Sequence, residues 1–292
     1  MKIIFCGNTD FSCRVLEVLS KNFDVMVITK KNSVVEKVAL EKGILTISTL
    51  SLKKEIFHIL PQVEQPDFIL SCDFGLFIPR ELFARPRIES INVHTSLLPK
   101  YRGPAPIQRA IMNGESKTGI TYIKISEKVD AGDIYASYEI NLSQSLIYSE
   151  VREELISLTC NTICFVISSI ARGSLKPSPQ DEAGATYAPK ITPEEEKLEL
   201  KNALATLRHI HALSYNPGAY VIFRGRRLKI LRCKLAEVSV EPGWLAVFDK
   251  RIFLGCSDQP IEILECQTEG GRRLSGLDFV NGYHKLLPSK VL

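Results

Sequence analysis

An asparagine and a histidine stand two residues apart at the end of an apolar run, Ile91-Asn92-Val93-His94. Side chains two apart on a β-strand share a face, so the Asn92 amide and the His94 imidazole project together. Such a pair supplies what acyl transfer needs: a donor for a developing oxyanion, and a group that gives or takes a proton near neutral pH. A histidine near a turn is more often a surface or structural residue, so the pair alone is weak evidence for catalysis. Further along, residues 118–134 read as a strand followed by a glycine-containing turn with two carboxylates, Asp130 and Asp133. One of them could hold the imidazole, although these residues alone favour a solvated turn whose carboxylates bond only local backbone.

The elements that must position these groups follow from hydrophobic periodicity. Three apolar runs, Ile3 to Phe5, Val25 to Ile28 and Phe68 to Leu70, alternate with segments of helical spacing such as Val15, Leu16, Val18 and Leu19. Strand, helix, strand at these intervals predicts a parallel sheet covered by helices. Ligands of such sheets bind beyond the carboxyl ends of the strands, where the turn after Gly7, the Cys72-Asp73-Phe74-Gly75 turn and the Asn92 to His94 segment would gather. The turn Gly7-Asn8-Thr9-Asp10-Phe11 lacks the three glycines of a dinucleotide fingerprint, so a nicotinamide cofactor is not expected.

A long helix is predicted from about Ser149 to Ala171, with Val151, Leu155, Leu158, Ile163, Val166, Ile167 and Ile170 facing the sheet. Pro177, Pro179 and Gly184 break that pattern, and the polar stretch around them reads as a connector. Leu198 to Leu213 has helical spacing. After it, short β-prone runs separated by turns at Asn216-Pro217-Gly218, Arg224-Gly225, Pro242-Gly243 and Gly270-Gly271 predict a small β-barrel. The expected organisation is an α/β Rossmann-like parallel-sheet domain over residues 1–185, a linker over 186–201, and a small OB-like β-barrel domain over 202–292.

The 292 residues, 45% hydrophobic and 24% charged, suit two folded domains. Eight cysteines are scattered through apolar runs without the spacing of a disulfide framework, and read as buried reduced thiols. Cys160 and Cys164 are a helical turn apart with no histidine nearby, so no metal site is expected. Met1 to Phe5 passes directly into a strand pattern without the features of a signal peptide. No uninterrupted apolar stretch approaches the roughly 20 residues that span a bilayer. A cytoplasmic, monomeric protein without a membrane partner is expected. Its formal net charge of +4 is unevenly spread: residues 201–292 hold 14 Lys and Arg against 8 Asp and Glu, the remainder 23 against 25. The cluster Arg224, Arg226, Arg227, Lys229, Arg232 and Lys234 could attract a phosphate backbone, as could many basic surface strands that bind no nucleic acid.

Taken together, Gly7 to Phe11, Asn92 to His94, Ser96 to Gly103, Ala105 to Arg109, Asp130 to Asp133 and Thr186 to Ile191 resemble the methionyl-tRNA formyltransferase family, in order and over nearly the whole chain. The Asn, His, Ser-Leu-Leu-Pro and Asp elements resemble those of folate-dependent formyltransferases in general. The Ala105-Pro106-Ile107-Gln108-Arg109 and Thr186-Tyr187-Ala188-Pro189-Lys190-Ile191 stretches resemble the tRNA-specific branch. The resemblance implies a catalytic group of Asn92, His94 and Asp130, with Asp133 a second candidate, and a folate site lined by Ser96, Leu97, Leu98 and Pro99. It implies 10-formyltetrahydrofolate as formyl donor, no metal, and initiator methionyl-tRNA as acceptor. In the implied mechanism the methionine amine attacks the formyl carbon directly, Asn92 and His94 stabilise the oxyanion, and Asp130 orients the ring.

The chain departs from the family after its second strand. The tRNA-specific branch carries a long insertion rich in Pro, Gly and Arg there, whereas Thr29 to Ser33 passes almost directly into a helix containing Val34, Val38 and Leu40. Lys30 and Lys31 are the residues placed to substitute in part. Asn8-Thr9 and Asn216 to Ala219 depart in smaller ways. The alternative acceptor is an amino-sugar nucleotide, since sugar N-formyltransferases resemble this catalytic domain and lack the basic loop.

Overall fold

Ile3, Ile4, Phe5 and Cys6 are all buried, as they must be in a strand covered on both faces, and each large apolar side chain so buried contributes about 1.5–3 kcal/mol. This strand, β1 (Lys2–Cys6), belongs to a seven-stranded sheet with β2 (Asp24–Lys30), β3 (Thr46–Thr49), β4 (Phe68–Cys72), β5 (Glu89–His94), β6 (Lys117–Lys124) and β7 (Ile134–Asn141), in the order β3-β2-β1-β4-β5-β6-β7. Strands β1 to β5 pair in parallel and β5 pairs antiparallel with β6. The architecture is seen in a computed structural model that describes residues 1–291, and is the predicted Rossmann-like sheet.

Helices α1 (Asp10–Asn22), α2 (Val34–Glu41), α3 (Leu52–Ile59), α4 (Arg80–Phe83), α5 (Pro106–Asn113) and α6 (Tyr148–Ala171) connect or follow these strands. Thr9 begins α1 with a reciprocal capping box to Ser12, satisfying two amides that a helix start leaves unpaired. The α6 stripe buries Val151, Leu155, Ile163, Val166, Ile167 and Ile170 as predicted, with Ile156 added and Leu158 only half-buried. By length and composition α6 could cross a membrane; here its Thr159 and Thr162 meet the hydroxyl of Tyr122 on β6, and it serves as a core helix. In α2 the buried residues are Val35 and Ala39, while Val34 and Leu40 stand exposed.

The chain forms two compact units. The first comprises Met1–Pro106, Thr118–Ile140 and Glu153–Ala188; the second takes Ile107–Lys117, Asn141–Arg152 and the chain from Pro189 onward. In the second, α7 (Ala203–Leu213) precedes β8 (Ala219–Phe223), β9 (Arg226–Leu235), β10 (Trp244–Phe248), β11 (Arg251–Gly255), β12 (Pro260–Thr268), β13 (Arg273–Ser275), α8 (Gly276–Tyr283) and β14 (Ser289–Lys290). The strands form an antiparallel, nearly closed barrel in the order β14-β10-β11-β12-β9-β8, with β13 on β12. Its core draws Leu207 and Ile210 from α7, Phe279 from α8, and Val221, Ile230, Leu254 and Ile263 from the strands. Helix α7 starts at Ala203 rather than Leu198, because the Asn202 side chain caps the Ala205 amide and Asp258 accepts the Ala203 amide.

Candidate active site

The carboxyl ends of β4 and β5 are in register, Ser71 opposite Asn92 and Cys72 opposite Val93, so the turn after β4 and the end of β5 face one crevice. The turn after β1 is tied to it: Thr9 Oγ1 donates to Asp73 Oδ2 at 2.6 Å, Ser12 Oγ donates to the Cys72 carbonyl at 2.7 Å, and the Asn8 amide donates to the Phe74 carbonyl. The crevice holds a cavity of about 440 Å³, within the usual range for a small-molecule site. Phe74, Leu76, Phe77, Ile78, Ile125 and Val129 supply apolar wall; Asn92, His94 and Asp130 supply polar wall.

These three polar residues converge. Asn92 Nδ2 donates to Asp130 Oδ1 at 3.3 Å, and His94 Nδ1 lies 3.6 Å from Asp130 Oδ2. The other ring nitrogen, Nε2, is 2.8 Å from the Tyr101 carbonyl. A carbonyl oxygen can only accept, so Nε2 carries a proton and Nδ1 is the ring atom left for chemistry. Asp130 Oδ2 also accepts the Gly103 amide at 2.9 Å. The histidine is 6% exposed and the carboxylate 12%, a poorly hydrated setting in which aligned dipoles act strongly.

Backbone strain supports this geometry. Tyr101 and Asp130 both have left-handed φ, 63° and 52°, a conformation that costs a non-glycine residue on the order of 1 kcal/mol or more and persists only when its surroundings enforce it. One directs a carbonyl at His94; the other sets the carboxylate between Asn92 and His94. Glycine is required beside both: a Cβ on Gly103 (φ 119°) would sit 2.8 Å from the Ala188 carbonyl oxygen, and one on Gly132 would run into the Lys124 carbonyl.

Ser96, Leu97, Leu98 and Pro99 are not among the residues lining the cavity. They form the turn that follows His94. Ser96 Oγ donates to the Lys100 carbonyl at 2.7 Å, and Thr121 Oγ1 accepts the Leu98 amide at 3.2 Å and donates to the Ser96 carbonyl at 2.7 Å. Their evident effect is to bring Tyr101 and Gly103 back onto His94 and Asp130. Asp133 also lies outside the cavity lining, its carbonyl accepting the Lys124 amide at 2.9 Å.

Sequence reasoning brought the Cys72 to Gly75 turn to the crevice but passed over Leu76 to Ile78, the Tyr101 carbonyl, the Gly103 amide and Gln180. The consecutive apolar residues Leu76-Phe77-Ile78 were a usable signal for the first; backbone groups carry none. Arg102, 1% exposed, is paired with Glu182 at 2.9 Å, and hydrogen bonds from Arg102 and then Lys128 hold the Glu182 carboxyl down at about 2.

In the second unit, Arg227 lies over the Tyr220 ring at 4.3 Å and Arg273 over Tyr215 at 3.8 Å. Arg224, Arg226 and Arg227 are exposed around the β8–β9 turn. Some cations are offset: Arg232 pairs with Glu150, and Lys234 and Arg251 share Glu262.

Residues 3–161 match the formyl transferase family, and residues 190–284 match the formyl transferase C-terminal domain. A methionyl-tRNA formyltransferase of Carboxydothermus hydrogenoformans is 33% identical over 98% of this chain and 98% of its own. One from a Hydrogenobaculum species is 36% identical over 97% of each. Among solved structures, HypX from Aquifex aeolicus in complex with tetrahydrofolic acid superposes with a TM-score of 0.69 at 21% identity, over 98% of this chain and 47% of that one, a likeness of fold. With both domains matched and full-length relatives above 30% identity, the chain belongs to the methionyl-tRNA formyltransferase family, whose members are formyl-transferring enzymes.

Proposed function

We propose that this enzyme transfers the formyl group of 10-formyltetrahydrofolate to the α-amine of initiator methionyl-tRNA, in the service of translation initiation. The observation that carries the chemistry is the convergence of Asn92, His94 and Asp130 on the polar wall of an otherwise apolar cavity. The apolar stretch between Phe74 and Ile78, with Ile125 and Val129, suits a flat heteroaromatic ring, and the folate named for the HypX structure supports that occupant. The names of the full-length relatives support the acceptor.

The neutral amine attacks the formyl carbon, forming a new C–N bond, and the carbonyl oxygen becomes an oxyanion. Asn92 Nδ2 and a proton on His94 Nδ1 are the donors aimed at it. The bond from the formyl carbon to the folate nitrogen then breaks. Asp130, directly or through a held water, takes the proton lost by the attacking amine, His94 Nδ1 gives its own proton to the departing folate nitrogen, and the proton on Asp130 then restores the ring. Proton count is conserved and no enzyme intermediate forms; the Ser96 hydroxyl, engaged with the Lys100 carbonyl, has no nucleophilic part. Holding donor and acceptor in register accounts for much of the remaining acceleration.

For the acceptor, the second unit offers guanidiniums over tyrosine rings and an exposed basic turn, the combination that tracks phosphates and stacks on bases. Between β2 and α2 only Lys31 to Ser33 intervene, so this face carries more of the acceptor contact than a loop there. The test is transfer of labelled formyl from 10-formyltetrahydrofolate to charged initiator tRNA, beside amino-sugar nucleotides and an acceptor-free control. Formylated tRNA that disappears in His94→Ala is the expected result. Label on the sugar, or formate released without acceptor, would replace the acceptor and keep the site.

A further inference from the structure

The polar segment after α6 is a strap. At one end Ser178 and Ile134 exchange backbone hydrogen bonds of 2.7 and 2.9 Å; at the other, Arg102 donates to the Thr186 carbonyl at 2.9 Å and accepts the Ala188 amide at 2.7 Å. Between these anchors lies Gln180. Its Nε2 donates to the Asp130 carbonyl at 2.9 Å and the Gly132 carbonyl at 2.7 Å, while its Oε1 accepts from Arg102 Nε at 3.1 Å and Nη2 at 2.7 Å. The carboxamide therefore uses both protons and both acceptor positions. The far edge of the same buried guanidinium is held by Glu182, at 3.1 Å from Nη1 and 2.9 Å from Nη2.

Arg102 also lies between the two residues whose backbone meets the catalytic pair: the Tyr101 carbonyl receives His94 and the Gly103 amide reaches Asp130. The clamp thus joins both sides of the site, and it grips Asp130 at the peptide whose left-handed φ aims the carboxylate. A carboxamide fits here for a stated reason. Glutamate would keep the acceptor for Arg102 but has no proton for the two carbonyls, and methionine of similar length offers neither.

We propose that Gln180, itself fixed by Arg102, is a positioning residue for formyl transfer: it holds the Asp130 to Gly132 turn so that the Asp130 carboxylate meets Asn92 and His94. The inference rests on the role given to Asp130 above. Gln180 is not among the residues lining the cavity, so its effect falls on turnover and passes through Asp130.

The experiment compares Gln180→Met and Gln180→Glu, each in the native and the Asp130→Asn background, by kcat, KM for folate donor and tRNA acceptor, and thermal midpoint. In the native background kcat falls at least about tenfold with both KM values within about twofold. In the Asp130→Asn background the same changes lower kcat less than about twofold, because the residue they act through is already disabled. Equal fold losses in the two backgrounds would mean a general structural role and overturn the proposal, as would a loss carried by KM or wild-type kcat in both variants. An Asp130→Asn enzyme with wild-type turnover would remove the function assigned to Asp130 and the clamp with it. Slow turnover in Asp130→Asn beside normal turnover in the Gln180 variants would remove the clamp alone. Gln180→Glu keeps the bond to Arg102, so it remains a test should Gln180→Met fail to fold.

Discussion

The two units hold their charged groups in opposite ways. In the first, His94 is 6% exposed and Asp130 12%, and each is committed to named backbone partners. In the second, the side chains of Arg227 and Arg251 are each 50% exposed, and their guanidiniums lie over aromatic rings or pair loosely with carboxylates. A group held by geometry fails abruptly when an angle changes. A group acting by summed charge in water fails by degrees, and salt weakens it. Perturbations of the two regions should therefore differ in kind as well as size.

The sharpest break is at the proposed oxyanion donors. Asn92→Ala or His94→Ala should lower kcat on the order of a hundred- to a thousand-fold, the usual consequence of losing one such donor, with folate affinity nearly unchanged since the apolar wall is intact. Steady-state kinetics with equilibrium folate binding checks both halves; a variant with wild-type kcat would lose its assignment. Next in size is Gly132→Ala, whose new Cβ meets the Lys124 carbonyl. Because backbone must move, a loss of about 1–3 kcal/mol is expected, seen as a thermal midpoint lower by several degrees, together with lower turnover as the Asp130 turn shifts.

How legible these regions were in the sequence follows the same division. The sheet was readable because the buried runs of β1, β2 and β4 have nothing but a parallel core to go to. Asn92 and His94 were readable because strand periodicity puts them on one face. Asp130 against Asp133 was undecidable from the turn itself, since the choice depends on a left-handed φ and a long-range amide from Gly103. Gln180 was hidden for a similar reason: Pro177 and Pro179 break a helical pattern, and a broken pattern looks like a connector whether or not its side chains bond elsewhere. The start of α7 was misjudged by five residues because a cap from Asn202 outweighs the helical spacing of Leu198. In α2, a short helix, spacing alone did not reveal that Val35 and Ala39 would face inward.

The charged face of the barrel gives the third and gentler effect. Arg226→Ala with Arg227→Ala should weaken tRNA binding and reduce the slope of log affinity against log salt by roughly 0.7–0.9 for each phosphate no longer neutralised, leaving kcat at saturating tRNA unchanged. Binding measured across a salt series decides this, and an unchanged slope would take the acceptor away from this face. Arg232 is the internal comparison: it is already paired with Glu150, so Arg232→Ala should alter the slope less and stability more.

The smallest effect belongs to a histidine outside the proposed site. His211 on α7 is 2% exposed, with Nδ1 2.9 Å from the Gln144 carbonyl and Nε2 3.1 Å from the Cys233 carbonyl and 3.4 Å from its amide. The neutral ring satisfies this setting by donating from Nδ1 and accepting the Cys233 amide at Nε2. Burial pushes its pKa below 6.5, with Arg232 acting in the same direction, against the two carbonyls and Glu150, which favour the charged ring. The unfolded chain therefore takes up a proton near pH 6.5 that the folded chain refuses, so stability is unaffected above that pH and declines as pH falls below it. The decline can reach at most about 1.4 kcal/mol per pH unit, and it ends once the folded ring is protonated. Urea midpoints at pH 7.5 and 5.5 for the native enzyme and His211→Asn measure it: the native protein should lose more between the two than the variant, which has no ring to charge. Equal losses would mean that the ring accepts its proton in place and that the carbonyls of Gln144 and Cys233 outweigh the cost of its burial.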